Sequence, residues 1–217
     1  MSQACDHHHP VTPEATRDPR YRRILWAALW INAALFVVEV VGGLSADSVA
    51  LLADAVDFFG DAANYGVTLA VLAMSAAWRA RAALVKGVTM GLFGVFVLGR
   101  AVWSATQGLV PEPGAMGAIG ALALLANVAV ALMLYAWRDG DANMRSVWLC
   151  SRNDAIGNLA VLAAALGVFG TGSAWPDLVV AAVMGLLALG AARSVVRQAR
   201  AELRPAGPAA HDMGRIE

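Results

Sequence analysis

Three aspartates, Asp54, Asp57 and Asp61, stand at spacing i, i+3, i+7 in an otherwise apolar stretch of this 217-residue chain. At about 100° per residue that spacing places them on one face of a helix, and Asp47 lies one heptad earlier on the same side. Ionised carboxylates arranged in this way repel one another, so they must share protons or neutralise a cation. A second pair, Cys150 and Asp154, repeats the i, i+4 spacing of Asp57 and Asp61, with Asn158 one turn further on. Two such pairs on facing helices present four side chains in two tiers, enough to close a tetrahedron around one divalent ion. Thiolate together with carboxylates suits a borderline-soft ion such as Zn²⁺ or Cd²⁺ and disfavours Mg²⁺ and Ca²⁺. The expected metal ligands are Asp57, Asp61, Cys150 and Asp154. Asp47, Asp54, Glu39 and Asn158 are expected along the pathway or behind the ligands.

The elements that must position these residues follow from composition. The chain is 59% hydrophobic and 15% charged, against about 25% charged in an ordinary soluble domain. Apolar runs at 24–44, 46–77, 82–103, 114–137, 144–168 and 175–196 are long enough to span a bilayer. The fold class is therefore an all-α integral membrane protein, a bundle of six transmembrane helices. Helix 2 is expected to start near Ser45 as its N-cap. The first run is too long for a signal h-region and no small-residue cleavage site follows it, so it is retained. An acid in the bilayer core costs at least about 2.5 kcal/mol, so those on helix 2 must face a partner, a cavity or a ligand.

Orientation follows from the cations. Arg17, Arg20, Arg22 and Arg23 precede helix 1, Arg79, Arg81 and Lys86 lie in the second link, and Arg138 and Arg145 lie in the fourth. Arg193, Arg197, Arg200, Arg204 and Arg215 follow or end helix 6, whereas the three alternate links carry no Lys or Arg. Both termini are expected to be cytoplasmic. Residues 1–22 and 200–217 read as disordered cytoplasmic tails flanking a transporter domain at 23–199, with no C-terminal cytosolic domain. The tail segment Cys5 to His9 carries good zinc donors but lacks a fold to fix them, so it is read as dispensable. With 16 Lys+Arg against 16 Asp+Glu there is no cationic surplus for nucleic acid. Cys5 and Cys150 lie in separate regions, so no disulfide is expected. Gly87, Gly91, Gly94 and Gly99 form a small-residue face on helix 3 that would let a second protomer approach.

The run Asn32 to Asp61, reading NAALFVVEVVGGLSADSVALLADAVDFFGD, resembles the first two helices of the cation diffusion facilitator family. RSVWLCSRNDAIGNLAVLAA resembles that family's fifth helix, and Asn127 fits an asparagine of its fourth. The resemblance covers about residues 24 to 197 and implies export of a divalent metal from the cytosol by proton antiport. It also implies a homodimer, with the transport site on helices 2 and 5. Cys150 stands where the family usually has His, the cytosolic domain that usually follows helix 6 is not expected here, and the fourth link is reduced to RDGDANMR.

The expected function is efflux of a divalent transition metal by alternating access, Zn²⁺ foremost with Cd²⁺ competing and protons as counter-ion. No resident cofactor and no enzymatic activity are expected. The site of action is the inner (plasma) membrane, crossed several times. The alternative is an intramembrane metal-dependent enzyme, such as a lipid phosphotransferase. That reading needs basic residues beside the acids to clamp phosphate, and helix 2 has none.

Overall fold

The computed structural model describes residues 18–70, 75–137 and 142–203. They form six helices and no strand: α1 Pro19–Ser45, α2 Val49–Ala70, α3 Ala76–Gln107, α4 Pro113–Leu134, α5 Ala142–Thr171 and α6 Trp175–Glu202. A single 3₁₀ turn, Tyr135–Trp137, extends α4. Five of the six are long and apolar enough to cross a membrane. The exception is α2, whose 22 residues include all three aspartates.

The bundle has an apolar surface and buries a set of polar side chains within an otherwise apolar core. Leu92, Leu125, Leu132, Leu166 and Phe169 are exposed, whereas Asn32, Glu39, Asp54, Asp61, Lys86, Asn127, Ser151 and Asn158 are buried. A surrounding hydrocarbon solvent accounts for this arrangement: apolar side chains lose nothing by facing lipid, and polar ones must find partners within the protein. The protein is a multi-pass membrane protein. Trp26, Trp78, Trp103 and Trp175, all near helix ends, are also exposed, as amphipathic rings at a membrane interface should be.

The helix limits differ from the sequence expectation in ways that have local causes. Asp18 caps α1 by accepting from the Arg20 amide at 2.8 Å, and Pro19 at the first position fits a helix start. Residues 19–22 are therefore helical rather than tail, and at the other end α6 runs on to Glu202. Ser45 ends α1 instead of starting α2, its hydroxyl turned back to the Val41 carbonyl. Between the two helices Asp47 adopts φ 53°, a left-handed conformation that Asp tolerates better than most residues. Asp47 is thus in a turn and off the α2 acidic face. It pairs instead with Arg100 of α3 at 3.3 Å.

The first turn of α2 is capped from another helix. Ser48 accepts from the Leu51 amide at 3.2 Å, the usual capping geometry. Asp177, in the first turn of α6 and fully buried, accepts from the Ser48 hydroxyl at 2.7 Å, the Val49 amide at 2.9 Å and the Ala50 amide at 3.1 Å. Its negative charge also faces the positive end of the α2 dipole. One carboxylate therefore sets the depth of α2 against α6.

The glycine face of α3 is used inside the protomer. A Cβ on Gly87 would meet Val195 and Val196 at 2.9 to 3.2 Å, and one on Gly94 would meet Leu189 at 2.9 Å. Gly185 of α6 reciprocates against Val97 and Leu98 of α3. Small residues let these two backbones approach closely, so Gly87, Gly91 and Gly94 serve α3–α6 packing and not a second copy. A ring cluster of Phe36, Phe59 and Phe93, with centroids 5.6 to 6.0 Å apart, ties α1, α2 and α3 together.

Asp177→Ala strips three donors of their acceptor at a buried helix start, and is expected to cost about 1–3 kcal/mol. A thermal-unfolding series in detergent checks this. A midpoint equal to that of the native chain would show that the cap contributes nothing.

Candidate metal site

The α2 carboxylates do not share one environment. Asp54 is buried and accepts from Asn158 Nδ2 of α5, and Asn158 Oδ1 accepts from Asn127 Nδ2 of α4 at 2.9 Å. Against Asp54 also lies Glu39 of α1, close enough for the two carboxyls to hydrogen-bond. Two carboxyls can do so only if one carries a proton, and no other donor reaches either Glu39 oxygen. Glu39, Asp54, Asn158 and Asn127 thus form a polar chain through four helices, with Asp54 at its junction.

Asp61 is held differently. Tyr65, one turn later, donates to Asp61 Oδ2 at 3.1 Å, and the Tyr65 hydroxyl lies 2.8 Å from Ser151 Oγ of α5. Asp154 of α5 meets Asp61 within hydrogen-bonding reach. No neutral donor reaches Asp154 Oδ2, although that atom is buried. The pair sits at the crossing of α2 and α5, where the spacing of the two motifs places it.

Between Asp54 and Asp61 the half-buried Asp57 faces a cavity of about 250 Å³. Asp57, Gly60 and Asn64 of α2, Lys86 and Met90 of α3, and Asn153, Asp154 and Gly157 of α5 line it, and α6 closes the remaining side. Met184 and Val195 are among its α6 walls. Asp57 and Asp154 therefore look into the same space from two helices. Asp61 stands beside both, near enough for each of the three carboxylates to act electrostatically on the others.

Of the four expected ligands, the structure brings together Asp57, Asp61 and Asp154. Cys150 belongs to α5, one turn before Asp154, but its side chain lies outside the described residues, as do Cys5 to His9. Among the described residues no three His, Cys, Asp or Glu side chains converge as a finished metal cage. Of the four pathway residues, Glu39, Asp54 and Asn158 form the adjoining chain, and Asp47 is remote at the α1–α2 turn.

The sequence reading missed two groups. Lys86 lies in the body of α3 and not in the link before it; it is 8% exposed and its ammonium donates to Asn64 Oδ1 of α2. Tyr65 follows Asp61 by four residues, and that i, i+4 spacing was the signal that would have found it.

The chain matches the family described as the cation efflux transmembrane domain over residues 25–203. Its relatives include the zinc transporter ZitB of Escherichia coli (strain K12), 27% identical over 97% of this chain and 71% of that protein. The metal cation efflux system protein CzcD of Cupriavidus metallidurans is 26% identical over 87% of this chain and 61% of its own length. ZitB of Pectobacterium atrosepticum is 31% identical over 89% of this chain and 64% of its own. The chain therefore spans three fifths to seven tenths of these relatives.

Asn158→Ala leaves the buried Asp54 carboxyl without its amide donor, and is expected to destabilise the bundle by about 1–3 kcal/mol. Combining it with Asp54→Ala should cost less than the two single losses added, because the stranded acid is then gone. Strictly additive unfolding energies would show that the pair is not coupled.

Proposed function

The chain belongs to the cation efflux transmembrane domain family, and on that premise we propose that it exports Zn²⁺, with Cd²⁺ competing, from the cytosol in exchange for protons. It is a metal cation efflux protein and not an enzyme. The observation that carries the finer reading is the meeting of Asp57 and Asp61 of α2 with Asp154 of α5 beside a cavity of about 250 Å³. Zinc and cadmium figure in the names of relatives: ZitB of E. coli is a zinc transporter, and an antiporter of Bacillus velezensis is named for cadmium, cobalt and zinc.

In this reading Asp57, Asp61 and Asp154 supply oxygen donors and Cys150 a sulfur donor to the transported ion. Tyr65 orients Asp61 through its hydroxyl, and Ser151 holds Tyr65, so the ligand is aimed before the ion arrives. Ligands bind metal only when deprotonated, so protons entering from the far side displace the ion and the two cargoes exclude one another. The Glu39–Asp54 contact adds a place for a proton next to the site but off the cavity wall. Rocking of α2 and α5 against the rest of the bundle opens the cavity alternately to each side. The setting proposed is the inner membrane, with both termini cytosolic and two protomers associated. Gly87, Gly91 and Gly94 of α3 are not their contact, since α6 lies against them.

The phosphotransfer alternative is not favoured. Lys86 does bring one cation beside the acids, but its ammonium is engaged by Asn64, and one engaged lysine does not make a phosphate clamp.

Zinc uptake into inverted vesicles tests the reading. Asp61→Ala and Asp154→Ala are expected to abolish uptake with the protein still folded, since each removes an anionic ligand and strands no charge. Acidification should raise the zinc half-saturation of the native chain, because protonated ligands do not bind. Cys150→His should keep zinc uptake and weaken that of cadmium, imidazole being the harder donor. Near-normal zinc flux in both aspartate variants would sink the assignment.

A further inference from the structure

Lys86 is a buried cation in a place where the metal reading requires a cation to enter. Its residue is 8% exposed, it lines the same cavity as Asp57 and Asp154, and its ammonium donates to Asn64. A lysine near a helix end in a bilayer normally extends its stem toward the interface and leaves its charge in water. Here the charge points instead to α2, at a residue three positions after Asp61, close enough to act electrostatically on that carboxylate. The cavity that would hold a divalent ion thus carries its own monovalent one.

We propose that the Lys86 ammonium is a tethered counter-cation of the carboxylate site, standing in for the transported ion when the site is empty and yielding to it when the ion binds. The proposal rests on the metal reading of Asp57, Asp61 and Asp154 given above. Its basis is charge balance. Three carboxylates gathered beside a low-dielectric cavity are costly to leave uncompensated. A fixed positive charge among them lowers that cost in the empty protein and opposes the approach of a second positive charge. Asn64 holds the ammonium to one side of the cavity. Lys86 therefore weakens binding while helping release, which a transporter needs because an ion held too firmly is not delivered.

A residue kept only for packing would lose binding and transport together when replaced; a competing cation would not. Lys86→Gln and Lys86→Met both remove the charge, the first keeping a polar end beside Asn64 and the second keeping the length of the stem. Zinc affinity of each, purified in nanodiscs, is measured by calorimetry beside the native chain, Lys86→Arg and Asp154→Asn. Zinc release is followed in proteoliposomes. The neutral variants are expected to bind zinc on the order of tenfold more tightly and to release it more slowly, while Lys86→Arg stays close to the native affinity. Equal or weaker zinc binding by folded Lys86→Gln and Lys86→Met, with the native chain binding zinc and Asp154→Asn failing to, overturns the counter-cation and leaves the metal site standing. Failure of the native chain itself to bind zinc overturns both.

Discussion

Carboxylates inside a bilayer are the constraint on which this structure depends. Each must meet a donor, a proton or a cation, because hydrocarbon offers none. The bundle meets that demand with specific contacts: Asn158 of α5 for Asp54, Tyr65 of the same helix for Asp61, and the α2 amides with Ser48 for Asp177. Where donors run out, at Glu39 and at Asp154 Oδ2, the remaining acceptors point to a proton or an ion. In the proposed mechanism transport follows from this shortage, since an acid with a complete set of fixed partners would have no reason to take up a passing cation.

Packing keeps the shortage local. Close α3–α6 contact at Gly87, Gly94 and Gly185 forms a tight pair on one side of the bundle. Asp177 ties the start of α2 to α6, and the three phenylalanine rings tie its middle to α1 and α3. The stretch of α2 from Asp57 to Asn64 then faces α5 across the cavity. Rigid contacts at one end and an open space toward the other suit an element whose ligands must face one side and then the other.

Much of this was legible from periodicity. Six helices follow from six apolar runs, because spanning length is set by bilayer thickness. The meeting of Asp61 with Asp154 follows from repeated i, i+4 spacing on an energetically costly background. Several features were not legible, for physical reasons. The capping of α2 by Asp177 joins residues 128 apart, so no local pattern marks it. Ser45 and Ser48 are equally good caps by type, and only the turn at Asp47 decides between them. Lys86 sits where a run of link cations was expected, and its inward aim depends on Asn64 of another helix. The α3 glycines signal close packing but do not name the partner, and α6 of the same chain proved to be it.

The central claim is that one divalent ion binds between α2 and α5 on Asp57, Asp61, Cys150 and Asp154. Anomalous diffraction from crystals grown with cadmium tests it most directly. The account predicts one strong cadmium peak within bonding distance of carboxylate oxygens from Asp57, Asp61 and Asp154 and of the Cys150 sulfur. Cadmium found only elsewhere, such as on the His7 to His9 segment, with the α2–α5 crossing empty, would contradict it.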